Sequence, residues 1–171
     1  MLNKKVLVVG KSASGKDYLI EYLKGKGLER SVSYTTRPIR ENEIENVTYN
    51  YITEHKFEEM IGNNELIEYH NFNGWYYGNT IDDFKQKDIF IKTIYGLQQI
   101  KDYRSECFVI YIDIDLETRR KRLLNRKDTN DSIERRIEAD EKDFENFSDF
   151  DMRISNPDYS PEDIFELILD L

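Results

Sequence analysis

The chain has one cysteine, no long apolar run and no excess of positive charge, and each shortage closes off a class of protein. Cys107 alone cannot form an internal disulfide. It lies in the apolar run Cys107-Phe108-Val109-Ile110-Tyr111-Ile112, where a buried structural thiol is expected. No apolar stretch approaches the ~20 residues that a membrane span requires, and 35% of the residues are charged, so no membrane partner is expected. Met1 to Lys5 lead into a strand-like run without an apolar signal segment or cleavage pattern, and the expected location is cytoplasmic. The formal net charge of −9 argues against a nucleic-acid partner, which needs a basic surface. There is no internal repeat and no low-complexity tract. A length of 171 residues suits one domain with room for a real core.

What is present is first of all Gly10-Lys11-Ser12-Ala13-Ser14-Gly15-Lys16. The apolar run Val6-Leu7-Val8-Val9 precedes it, and an apolar-periodic segment, Tyr18-Leu19-Ile20 to Tyr22-Leu23, follows. Strand, glycine-bounded loop and helix in that order make an anion cradle. The glycines let the backbone curl, its N–H groups converge, and the helix adds its positive N-terminal end. Lys16 is placed to reach the outer phosphates of a nucleoside triphosphate. Asp17 stands where this loop type carries Ser or Thr, whose hydroxyl holds magnesium. A carboxylate is also a hard oxygen ligand, so Asp17 is the candidate metal residue. A second charge feature is local. Arg119, Arg120, Lys121, Arg122, Arg126 and Lys127 crowd one segment, with Arg135 and Arg136 soon after, which suits a small, highly charged anion.

Hydrophobic periodicity alternates strand and helix. Strands are predicted over 5–9, 31–35, 47–52, 66–72, 88–94, 107–113 and 151–155. Helices are predicted over 16–25, 54–62 with Thr53 as cap, 81–86, 95–103, 116–126, 131–146, and after Ser160-Pro161, with serine as cap and proline at the first helical position. Asn73-Gly74 reads as a hairpin turn. The implied class is α/β: a mostly parallel sheet with helices on both faces, with ligands bound beyond the carboxyl ends of its strands. Residues 31–80, rich in strands and turns, read as a small β lobe beside it.

The segment Ser33-Tyr34-Thr35-Thr36-Arg37-Pro38-Ile39-Arg40, taken with Tyr49, Glu68 and Tyr76-Tyr77-Gly78, resembles the guanylate kinase family over nearly the whole chain. The resemblance implies a P-loop fold with a GMP-binding lobe at 33–80, a lid at 119–146 and a core of 1–32, 81–118 and 147–171. It implies transfer of the γ-phosphoryl group of ATP, with Mg2+, to GMP or dGMP. ATP is expected on Gly10, Ser12, Ala13, Ser14, Gly15, Lys16, Asp17 and Asn156. Arg37, Arg40, Tyr49 and Tyr77 are expected to grip the acceptor phosphate, as paired guanidinium forks can. Glu68 is expected to accept from guanine N1–H and its 2-amino group, with Ser33, Gly78 and Asn79 beside the base. Lys16, Arg122, Arg126 and Arg136 are expected to stabilise the transferring phosphoryl group. The strand Ile89-Phe90-Ile91-Lys92-Thr93-Ile94 departs from the family, which usually carries acids there. The Gly15-Lys16-Asp17 ending is similar to that of ribose 1,5-bisphosphate kinases, the alternative enzyme. A peptide-binding scaffold of the same family is the alternative outside catalysis.

Overall fold

Strand β1 (Lys5–Gly10) is apolar and buried on both faces, as a central parallel strand must be. In the computed structural model, residues 2–41, 43–72, 74–125 and 132–171 are described. β1 forms parallel ladders with the later strands Cys107–Ile112 and Ile89–Ile91. In chain order the remaining strands are β2 (Tyr34–Thr35), β3 (Asn50–Tyr51), β4 (Leu66–Phe72), β5 (Trp75–Thr80), β6 (Ile89–Ile91), β7 (Cys107–Ile112) and β8 (Met152–Ile154). One sheet has the order β6-β1-β7-β8, all parallel.

Successive side chains of β1 point to opposite faces. Val6 and Val8 join Leu19, Ile20 and Leu23 of α1 (Lys16–Gly25) and Ile164 and Ile168 of α7 (Pro161–Leu169). Leu7 and Val9 join Phe84 of α3 (Ile81–Gln86), Leu97 of α4 (Ile94–Gln99) and the aromatic trio Phe144, Phe147 and Phe150. Cys107 is fully buried in this second layer, and burial pushes its thiol up to about 11.

The second sheet has the order β3-β2-β5-β4. β4 and β5 form an antiparallel hairpin, with Phe72 opposite Trp75. Helix α2 (Glu54–Gly62) covers it, and Phe57 stacks on Tyr76 with ring centroids 5.1 Å apart. Helices α5 (Leu116–Asn125) and α6 (Ile133–Asp143) complete the molecule. Thr53, Thr80, Thr93, Ser132 and Ser160 each accept a backbone N–H from the first turn of the helix that follows. Among the described residues no helix is long and apolar enough to cross a membrane.

Several expected boundaries move. The strand over 31–35 reduces to Tyr34–Thr35, because the chain changes sheets within it. Ser31 donates its N–H to Ile89 O of the first sheet, whereas Tyr34 pairs with Gly78 of the second. The stretch 47–52 reduces to Asn50–Tyr51, because Val47 and Thr48 turn back to hydrogen-bond Ile44 O. β6 stops at Ile91, since Thr93 is already a helix cap. The helix over 95–103 ends at Gln99, and Lys101–Glu106 form a 3-10 turn. Asn73 of the expected turn lies outside the described residues, and Gly74 takes φ of 85°.

Candidate active site

β1 ends where Gly10 passes close to β7: a Cβ there would lie 2.6 Å from Ile112 O and 2.7 Å from Ser14 Oγ. The loop then curls through left-handed angles at Ala13 (φ 59°) and Gly15 (φ 104°), and α1 begins at Lys16. Ser12 to Asp17 with Leu123 and Arg136 enclose a polar hollow of about 200 Å³. Lys16 Nζ donates to Gly10 O (2.6 Å) and Lys11 O (3.0 Å) across the loop. Ser14 Oγ is buried with no hydrogen-bond partner among the described residues. Asp17 is exposed at the first turn of α1.

The arginine-rich segment divides by role. Arg122 Nη1 donates to Ala13 O (3.2 Å) and Ser14 O (3.1 Å), bracing the loop from outside. Arg119 is buried, donating to Ile114 O and Glu141. Arg120 and Lys121 form surface pairs with Glu134 and Glu117. Arg126 lies outside the described residues. Helix α6 returns acids to the loop: Ser12 N–H donates to Asp140 Oδ2 (2.8 Å), and Lys11 Nζ bonds Glu141 (2.9 Å).

Behind the loop a second hollow, about 340 Å³, is bounded by Tyr18, Arg122, Asn125, Pro157 and Tyr159. Asn156 does not line it. Its side chain accepts the Asp158 N–H (3.0 Å), which shapes the turn that carries Pro157 and Tyr159.

In front of the loop lies a cleft of about 360 Å³, with Gly10 and Lys16 on one wall. The other walls carry Ser33, Tyr49, Glu68, Tyr77, Gly78 and Asn79. β4 and β5 place Glu68 and Asn79 as register partners, and both are buried, at 4% and 2% exposure. Gly78 must be glycine here, since a Cβ would meet Glu68 O at 2.7 Å. Tyr49 packs edge-on against Tyr77, and burial raises its hydroxyl pKa.

Arg37 and Arg40 part company. Arg37 is buried, its guanidinium over the rings of Tyr49 (5.5 Å) and Tyr51 (5.8 Å) and paired with Glu43 at 2.6 Å. Burial works to raise the Glu43 pKa, yet the bonds from Arg37, Tyr51 and the Arg40 backbone hold it at about 2. Arg40 is exposed, and neither arginine is among the cleft's lining residues.

Sequence reasoning missed Lys92, Arg30 and His70 in the same cleft. Lys92 Nζ donates to Glu68 Oε1 (2.6 Å) and Asn79 Oδ1 (2.7 Å). Burial lowers its pKa, and the neighbouring Glu68 carboxylate opposes that. His70 stacks on Tyr77, burial lowers its pKa, and its Nδ1 is buried without a partner among the described residues. The period-2 pattern of β4 puts His70 on the face of Glu68, and that was the one signal available for it. A lysine ending an apolar run offered none.

The comparisons agree with this geometry. A family model described as guanylate kinase matches residues 2–166. The guanylate kinase of Histophilus somni is 30% identical over 166 residues, covering 90% of this chain and 80% of its own. That of Wigglesworthia glossinidia brevipalpis is 34% identical over 163 residues, covering 88% and 76%. The crystal structure of guanylate kinase from Anaplasma phagocytophilum superposes with a TM-score of 0.69 at 20% identity, over 99% of this chain and 85% of that one, which supports the fold. A phosphate loop facing a carboxylate-bearing β lobe, on a chain matched almost end to end, leads to one assignment: the protein belongs to the guanylate kinase family.

Proposed function

We propose that the protein transfers the γ-phosphoryl group of ATP directly to the phosphate of GMP or dGMP. One observation carries the reading: Lys16 and Glu68 line a single cleft, so a donor tail and an acceptor base can share it. The names of the relatives, guanylate kinases, supply the substrate pair.

The donor's phosphates occupy the hollow of Ser12 to Gly15, where loop N–H groups and the start of α1 meet negative charge. Lys16 gives up its bonds to loop carbonyls for phosphate oxygens. The adenosine end lies in the hollow of Tyr18, Pro157 and Tyr159. The acceptor's base enters between Ser33, Glu68 and Asn79, and its phosphate lies toward Tyr49 and Tyr77. Arg37, clamped by Glu43, presents a fixed cation behind those tyrosines, and Arg40 closes over the phosphate from the exposed turn. Transfer needs alignment and charge stabilisation rather than a covalent intermediate. Lys16, Arg122, Arg126 and Arg136 supply positive charge around the moving group. Segment 119–146 acts as a lid that excludes water, over a lobe of 33–80 and a core of the remaining residues.

Magnesium, when bound, offsets charge on the donor phosphates. Among the described residues no group of three or more His, Cys, Asp or Glu could hold a metal alone. The donor set fits an ion carried by the nucleotide and held by one protein carboxylate, for which Asp17 lines the phosphate hollow.

An acceptor panel of GMP, dGMP, AMP, UMP and ribose 1,5-bisphosphate, each with ATP, with and without Mg2+, tests the reading. GMP or dGMP should be the preferred acceptor. Preference for ribose 1,5-bisphosphate, or absence of ATP binding as in a scaffold domain, would overturn it.

A further inference from the structure

The acceptor cleft contains an ammonium group that the reaction described above leaves unused. Lys92 follows β6 by one residue and is 4% exposed. An ammonium has three N–H donors, and two go to Glu68 Oε1 and Asn79 Oδ1. Asn79 is engaged inward as well: one Nδ2 N–H donates to Ser31 Oγ at 2.8 Å, and Ser31 Oγ donates to Asp83 at 2.8 Å. One N–H of the Asn79 amide remains beyond that bond, and Lys92 lines the cleft beside it with its ammonium directly on Glu68. Glu68 Oε2 is turned toward Gly96, where a Cβ would lie 3.0 Å away. That glycine leaves room for the carboxylate to sit flat beside the base.

A lone buried carboxylate is complementary to two adjacent donors, the N1–H and 2-amino group of guanine. A carboxylate tied to an ammonium is different. The pair is neutral, and it presents a donor next to an acceptor. Its complement is an edge on which an acceptor adjoins a donor. In a 6-oxopurine, O6 adjoins N1–H. With O6 toward Lys92, N1–H meets Glu68. The 2-amino group is then no longer needed to balance a buried charge. Adenine in the same pose turns its 6-amine against the ammonium, donor against donor.

We infer that Lys92 is a specificity-determining residue that widens the acceptor class from guanine to 6-oxopurine nucleoside monophosphates, inosine monophosphate included. This rests on the proposed reading of the cleft as the acceptor site.

Steady-state kinetics of the intact protein with GMP, IMP and AMP at saturating ATP test it first. IMP should reach kcat/KM within about tenfold of GMP, since losing one contact that carries no net charge is a small discrimination, and AMP should fall at least about a thousandfold lower, as buried polar groups left unmatched reject strongly. Lys92→Met leaves Glu68 a lone carboxylate matched to guanine's paired donors, so KM for IMP should rise about tenfold or more beyond any change for GMP, with ATP affinity by calorimetry unchanged. The charge-balanced double variant E68L/K92M avoids an orphaned carboxylate, removes both the donor and the acceptor, and should weaken GMP and IMP alike with ATP binding intact. IMP more than about a hundredfold poorer than GMP, or K92M with the IMP-to-GMP ratio of kcat/KM within about twofold of wild type, overturns the inference while leaving the kinase reading standing. No transfer to any of the three acceptors would instead remove the reading beneath it.

Discussion

At Gly10 a single hydrogen decides whether the phosphate loop can close against β7. The added methyl of Gly10→Ala would meet Ile112 O, a backbone atom, at 2.6 Å, so the strand or the loop must shift. Overpacking of this kind costs about 1–3 kcal/mol, and because the shift falls in the cradle, ATP affinity by calorimetry should drop about tenfold or more. Asp17 is the residue proposed for magnesium. Asp17→Asn keeps the shape and removes the charge, and the Mg2+ concentration for half-maximal activity should rise several-fold; an unchanged titration would exclude the assignment. Glu43 gives a pH signature. Its folded pKa of about 2 lies below its ordinary 4.5, so the stability it contributes is complete above pH 4.5 and is lost as pH falls through about 2. Denaturation of wild type and Glu43→Gln should give a gap that is constant from pH 7 down to about 4.5 and narrows toward pH 2. A gap of equal size at pH 2.5 and 7 would mean that the Arg37 clamp is not ionic.

At the scale of elements, local chemistry fixes the helices. Thr53 and Ser160 are caps that sequence alone identifies, and both accept a first-turn N–H. Ser160→Ala should lower stability by about 1 kcal/mol, read as a shifted urea midpoint with unchanged slope, because α7 packs through Ile164 and Ile168 onto the main sheet. The short strands were less legible, and the reason is physical. β2 and β3 have two residues each, and β2 pairs with β5, more than forty positions away; no window of ten residues contains that information. Helix α6 gained its role only in three dimensions. The sequence shows Asp140 and Glu141 as part of a charged, amphipathic run, and the fold brings them to Ser12 N–H and Lys11.

At the scale of the whole molecule, the proposed donor loop is legible because its residues are contiguous: Gly10 to Lys16 occupy seven neighbouring positions. The proposed acceptor wall is legible only through resemblance, since Ser33, Tyr49, Glu68 and Tyr77 are scattered over forty-five positions of chain, although they line one cleft. Lys92 was not readable at all, because a lysine's meaning depends on whether solvent or a carboxylate receives it. The parallel sheet delivers the loop at the end of β1, the hairpin β4–β5 delivers Glu68, and both face the same cleft. That juxtaposition has a thermodynamic consequence. An adenosine and a guanosine joined through a polyphosphate of matching span would fill both sides at once, and the second contact would form at high effective concentration. Such a bisubstrate analogue should bind about a hundredfold or more tighter than ATP alone, and at equal concentration should raise the melting temperature further than ATP and GMP do separately. The same analogue on Glu68→Ala should fall back toward the affinity of ATP. Equal binding of the analogue and of ATP by the wild-type protein would mean that the two walls do not serve one reaction.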